Sequence, residues 1–93
     1  MAGWLMRTSA VVAYTDTAAR SSQLTVGKNY VVCASTDCWI SQGGSSVDAA
    51  VDTANSIFLA KGVFLTIRVE SGSDYISAVR SSSSGTLVIV TLE

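Results

Sequence analysis

Val63-Phe64-Leu65-Thr66-Ile67-Arg68-Val69-Glu70 alternates with period two. Val63, Leu65, Ile67 and Val69 fall on one face of an extended chain, and Phe64, Thr66, Arg68 and Glu70 on the other. That is the pattern of a half-buried antiparallel strand, because successive side chains of a strand point to opposite faces. The same period recurs on both sides. Ser71-Gly72-Ser73-Asp74 is turn chemistry. Tyr75 to Arg80 is then expected to return as the partner strand of a hairpin. Ser81 to Gly85 turns again, and Thr86 to Leu92 forms the last strand. There Leu87 and Ile89 lie on one face, and Val88, Val90 and Leu92 on the other. A strand apolar on both faces is expected to be covered on both. In a chain of 93 residues the second cover can come from another chain.

Upstream, Ala10 to Tyr14, Gln23 to Val26, Tyr30 to Ala34, Asp37 to Ser41 and Ser56 to Leu59 read as further strands. Asp16 to Ser22 reads as a polar loop, and Gly27-Lys28-Asn29, Ser35-Thr36 and Ala60-Lys61-Gly62 as turns. Val47 to Asn55 is ambiguous. Val47, Ala50, Val51 and Ala54 have helical spacing, with Ser45 as a cap, yet the segment is short and also reads as an irregular loop. Roughly seven short strands with frequent turns predict an all-β domain. It is a small antiparallel sandwich or barrel, jelly-roll-like, with at most one short helix. Residues 9–93 form the single domain, preceded by an arm at 1–8. The Trp4, Leu5 and Met6 of that arm either dock into a neighbouring subunit or fold back as an extra strand.

The composition narrows function. Only 14% of the residues are charged against a usual figure of about 25%, while 48% are hydrophobic. Ser and Thr supply 24 of the 93. A surface of hydroxyls with few charges suits contact with neighbours, since a hydroxyl is cheaper to bury than a charge. A Ser/Thr-rich β protein has the same composition, because Thr favours strands. The net charge is −1 and the cations are scattered, so no nucleic-acid footprint is expected. Met1 to Thr8 lacks the features of a secretion signal, and no apolar run approaches the ~18 residues of a membrane span. Without histidine, neither a Ser-His-Asp triad nor a Cys-His pair can be assembled. Two cysteines do not complete a zinc shell. Asp48 and Asp52, four apart, can hold calcium weakly if they share a helix face; a solvated loop explains them better. No catalytic, cofactor-binding or metal residue is therefore assigned.

Cys33 and Cys38 invite a closer reading. If Ser35-Thr36 is a two-residue hairpin loop, Cys33 lies directly opposite Cys38 in a non-hydrogen-bonded pair. Two small buried thiols and a cross-strand disulfide are both compatible with that. Taking the cysteine face as the core, with Val31 and Ile40, leaves Tyr30, Val32, Ala34 and Trp39 outward, the composition of a protein interface. The reverse assignment puts those four in the core. The expected interface residues are thus Trp4, Leu5, Met6, Tyr30, Trp39, Val88, Val90 and Leu92.

From Asn29 onward, about two-thirds of the chain resembles small structural proteins of tailed bacteriophages. The resemblance rests on Gly27-Lys28-Asn29-Tyr30-Val31-Val32 and Asp37-Cys38-Trp39-Ile40. It continues through Ser56-Ile57-Phe58-Leu59-Ala60-Lys61-Gly62 and Gly85-Thr86-Leu87-Val88-Ile89. Lys61 departs from the pattern where similar sequences carry proline-glycine-type turns. The resemblance implies a non-enzymatic virion protein, assembled in the host cytoplasm. A capsid decoration or cement protein is the first expectation. Its partners would be the major capsid protein or other virion proteins, with the chain itself a homo-oligomer, trimer or dimer. A head–tail connector or tail component is the close alternative. A carbohydrate-binding module of a tail fibre, using Trp39 and Tyr75 to stack on sugars, is the more distant one.

Overall fold

The computed structural model describes residues 6–50 and 56–92, with side chains from Ala10 onward. Among these residues it is all-β, with eight strands in two antiparallel sheets. In chain order they are β1 (Met6–Tyr14), β2 (Ala19–Arg20), β3 (Asn29–Ala34), β4 (Cys38–Gly43), β5 (Ile57–Leu59), β6 (Leu65–Arg68), β7 (Tyr75–Arg80) and β8 (Gly85–Leu92). The first sheet has the order β1-β8-β3-β6 and the second β2-β7-β4-β5. The two face each other as an open sandwich.

The pairings nest. β1 pairs with β8, β2 with β7, β3 with β6 and β4 with β5. This is a long antiparallel ribbon, folded at the β4–β5 connection and rolled over itself, with β3–β8 and β4–β7 closing the sheets. It is the strand order of a jelly roll. Only β4 and β5 are neighbours both in the chain and in a sheet. Every other connection crosses from one sheet to the other.

That crossing overturns two expectations. β6 and β7 do not form a hairpin. The Glu70–Ser73 turn is real, with Ser73 N–H donating to Glu70 O at 2.9 Å and Gly72 at φ +83°, but it carries the chain between sheets. β3 and β4 do not pair either, because Ser35-Thr36-Asp37 is also a corner. Cys33 lies opposite Val88 in the first sheet, and Cys38 opposite Arg80 and Leu59 in the second. Both thiols are free, so the cross-strand arrangement is corrected. Gln23 to Val26 is not a strand, and the expected polar loop at Asp16 to Ser22 contains β2 instead. Ser21 and Leu24 donate backbone bonds to Ile76 O and Asp74 O, so this stretch follows β7 irregularly. Val47 to Ala50 is irregular; the rest of the ambiguous segment, 51–55, lies outside the described residues.

The core is built from the inner faces. Val12 and Tyr14 of β1, Leu87 and Ile89 of β8, and Tyr30, Val32 and Ala34 of β3 meet Cys38 and Ile40 of β4, Leu59 of β5, and Ile76 and Ala78 of β7. Tyr14 adds a polar anchor at one end. Its hydroxyl donates to Thr36, whose O and Oγ1 both lie at 2.8 Å, and accepts from Thr36 N–H at 3.1 Å. The corner between the sheets is thus tied to β1.

Candidate functional site

Three strands of the first sheet are apolar on both faces: Ala10 to Tyr14, Tyr30 to Ala34 and Leu87 to Val90. They are neighbours, since β8 lies between β1 and β3. Their inner faces fill the core. Their outer faces combine into one surface, because alternation puts Val11, Val88, Val90, Val31 and Cys33 on the same side. The register aligns Val11, Val88 and Cys33 in one row across the sheet, and Val90, Val31 and Thr66 in the next. Val11 is 58% exposed. Val88, Val90, Val31 and Cys33 are half-buried, their flanks shielded by the adjoining strands. No ionisable carboxylate or cation stands in either row.

The second sheet differs. Its outer face carries Ser41 and Ser77, both buried, and the chain after β4 lies across it. Ala49, itself buried, donates its N–H to Ser77 Oγ at 2.9 Å. Arg20 holds this segment by a bond to Ser45 O and an ion pair with Asp48 at 3.5 Å. Val47 seats against Gly43, where a Cβ would come within 3.1 Å of it. One outer face therefore has a cover from its own chain. The uncharged face of the first sheet is the candidate interaction surface.

The expected interface residues divide on this geometry. Val88 and Val90 stand on the candidate face, and Leu92 follows by alternation, opposite Met6 and Asn29. Met6 begins β1 and Arg7 and Thr8 continue it, so these three residues of the expected arm follow the fold-back alternative. Trp4 and Leu5 lie outside the described residues. Tyr30 is a correction: it is 2% exposed and its hydroxyl accepts Thr25 N–H at 2.8 Å inside the core. Val32 and Ala34 join it there. The two-residue-hairpin premise fixed β3 and β4 to one shared face. Once the corner crosses sheets, each strand takes its own parity. Trp39 does point outward on the second sheet, half-buried, edge-to-face with Phe58 at 5.3 Å between ring centroids. Its Nε1 is buried with no hydrogen-bond partner among the described residues. Val11, Val31 and Cys33 were not anticipated. Their signal was present, since their strands are apolar on both faces just as Thr86 to Leu92 is.

A second apolar region lies where the edge strands β5 and β6 face each other across the open side of the sandwich. Ile57, Phe58, Val63 and Phe64 are 61%, 46%, 50% and 74% exposed. Between the sheets a cleft of about 260 Å³ is walled by Ile40, Ile57, Leu65, Ile67 and Ile76, with Ser41 and Gln42. Gln42 Nε2 donates to Arg68 O and Ser73 O at 2.9 and 2.8 Å and ties the two sheets together beside the cleft.

The chemistry available at titratable groups is limited. Burial pushes the Cys38 thiol above its ordinary pKa; the Tyr14 hydroxyl pulls it back and the Asp37 carboxylate adds to the rise. A raised thiol is a poor nucleophile. Asp48, a calcium candidate by spacing, sits in irregular chain and faces Arg20, while Asp52 lies outside the described residues. Among the described residues there is no group of three or more His, Cys, Asp or Glu suited to a metal ion, and no helix long and apolar enough to cross a membrane. Comparison with known proteins finds no matching family model, curated protein or solved structure.

Proposed function

We propose that this chain is a non-enzymatic virion structural protein of a tailed bacteriophage, a capsid decoration protein that binds the head and stabilises it. The observation that carries the reading is the uncharged outer face of β1-β8-β3, with Val11, Val31, Cys33, Val88 and Val90 in register. Contiguous apolar surface on a small domain marks a contact site, and depletion of charge marks the centre of such a contact. The jelly-roll order is one that viral capsid proteins use, although fold alone does not assign function. The sequence resemblance supplies the phage context. A decoration protein acts as a ligand of the assembled shell and stabilises what it binds by mass action, with many copies making weak contacts effective.

The test mixes purified chain with capsids that lack it. Binding, with a gain in the thermal resistance of the shell, is the expected result. Val90→Lys places a cation in the middle of the face without touching the core and should abolish that binding while the domain stays folded. Absence of binding by the unaltered chain overturns the reading. Copy number separates decoration from a connector or tail position, which would be filled by a single ring.

A further inference from the structure

We infer that the cleft between the edge strands β5 and β6 is a binding site for a neutral aliphatic chain of medium length that carries a terminal hydroxyl. The cleft lies between the sheets and not on the uncharged outer face, so the site does not depend on the capsid reading.

The two sheets close on one side and stay apart on the other. On the β1–β2 side, Arg80 N–H crosses from one sheet to Thr15 O of the other at 2.9 Å. On the opposite side β5 and β6 end their sheets and do not pair. Leu59 is in the core, so by alternation Ile57 also faces inward, yet it is 61% exposed. Leu65 and Ile67 pack against the core from β6 and are only half-buried. Among the described residues, three inner-face aliphatic side chains thus lack the cover that such positions normally have. Behind them Ile40 and Ile76, both buried, form the floor. Four of the five isoleucines in the chain line this cleft, while the fifth, Ile89, lies in the closed core on β8.

Size and lining select the occupant. An apolar cavity of about 150 Å³ takes up benzene and stays dry otherwise. In proportion, a cleft of about 260 Å³ has room for about ten carbons. Its walls are branched aliphatic side chains with no aromatic ring to stack on, which suits a flexible chain better than a planar one. No ionisable side chain lines it, so a charged ligand would give up its hydration without gaining a counter-ion.

Gln42 selects the head group. Its Nε2 is committed to Arg68 O and Ser73 O, and these two carbonyls fix which way the amide is turned, since the reverse would set oxygen against oxygen. The Gln42 side chain therefore offers the cleft an acceptor, Oε1, and no free donor. A hydroxyl can donate to it; a carboxylate or an ether cannot. A ligand seated here would complete the core between β5 and β6 and stabilise the folded chain by mass action.

The experiment titrates the full chain, labelled at its isoleucine methyl groups, with butanol, hexanol, octanol and decanol, and follows the methyl resonances. Those of Ile40, Ile57, Ile67 and Ile76 should shift saturably while Ile89 stays still. Affinity should rise about three- to fourfold for each added methylene until the cleft is full. Heptyl methyl ether matches octanol in size but has no donor, and should bind about three- to tenfold more weakly. Octanoate should bind more weakly than octanol too. Ile57→Trp fills the mouth from an exposed position on a short edge strand and should abolish the shifts at Ile40 and Ile76. If that variant does not fold, the series on the unaltered chain decides. The inference is overturned if no alcohol gives saturable shifts at the four isoleucines, or if Ile89 shifts with them. It is also overturned if the ether or octanoate binds as tightly as octanol, or if folded Ile57→Trp binds unchanged. The outcome of the capsid experiment leaves this result untouched, and the reverse holds.

Discussion

Tyr14 and Gly85 are directly paired in the β1–β8 ladder, and the missing side chain of Gly85 is what lets the Tyr14 hydroxyl reach the Ser35–Thr36 corner. A Cβ at Gly85 would stand 2.5 Å from Thr36 Oγ1, 2.7 Å from Ser35 Oγ and 2.8 Å from Tyr14 Oη. Real atoms do not approach so closely, so Gly85→Ala must push aside these three side-chain oxygens, which tie the corner between β3 and β4 to β1 and β8. The expected cost is about 1–3 kcal/mol, the range for overpacking a tight site. In a domain of this size each kcal/mol lowers Tm by about 4–8 °C. Calorimetry of the variant checks it; an unchanged Tm would show that the corner gives freely.

Tyr14→Phe tests the same corner from the other side. The ring stays in the core, 1% exposed in the parent, and only the hydroxyl is lost. Thr36 N–H then loses its acceptor in a partly buried place. Stability should fall by about 1–3 kcal/mol in urea titration. Because both substitutions disturb one network, the double variant should cost less than the sum of the two.

Alternation was plain in the sequence, and it located most strands to within a residue or two. Leu87 and Ile89 fall inside, and Val88 and Val90 outside, as the pattern of Thr86 to Leu92 requires. Partnership was not legible. Ser71-Gly72-Ser73-Asp74 has the residues of a hairpin turn, and turn residues serve a crossing between sheets equally well. A local signal therefore could not say that β6 pairs with β3, far upstream, with Leu65 opposite Val32 and Arg68 opposite Asn29, and not with the strand that follows it. The consequence for the candidate site is direct. In Tyr30-Val31-Val32-Cys33-Ala34 both faces are apolar, so composition alone left the inner face undecided. The long-range pairing with β8 resolves it and brings Val31 beside Val90.

The two cysteines should behave differently toward a thiol reagent. Cys33 is half-buried on the outer face of the first sheet, whereas Cys38 has no exposure. Native protein should take up one label quickly at Cys33, and Cys38 should react only as the chain unfolds. Intact mass should be the same with and without reductant, since both thiols are free. Equal labelling rates at the two sites would contradict the placement of β4 in the core.

Cys38 also gives the protein an alkaline limit. Burial raises its folded pKa above the ordinary value of 9.0, which the unfolded chain retains. Below that value both states hold the proton, and the stabilisation is fully present. Above it the unfolded chain releases the proton while the native thiol keeps it, so unfolding is favoured as pH rises, until the folded group titrates as well. The slope from this one group is at most about 1.4 kcal/mol per pH unit. The measurement is a difference that isolates this one group: urea midpoints of the parent and of Cys38→Ala, compared from neutral pH to above 9. Cys38→Ala should be less stable near neutrality, having lost a buried sulfur, and should lose less with rising pH, so the two curves converge. Parallel curves would mean that the Cys38 thiol titrates alike in the folded and unfolded chain.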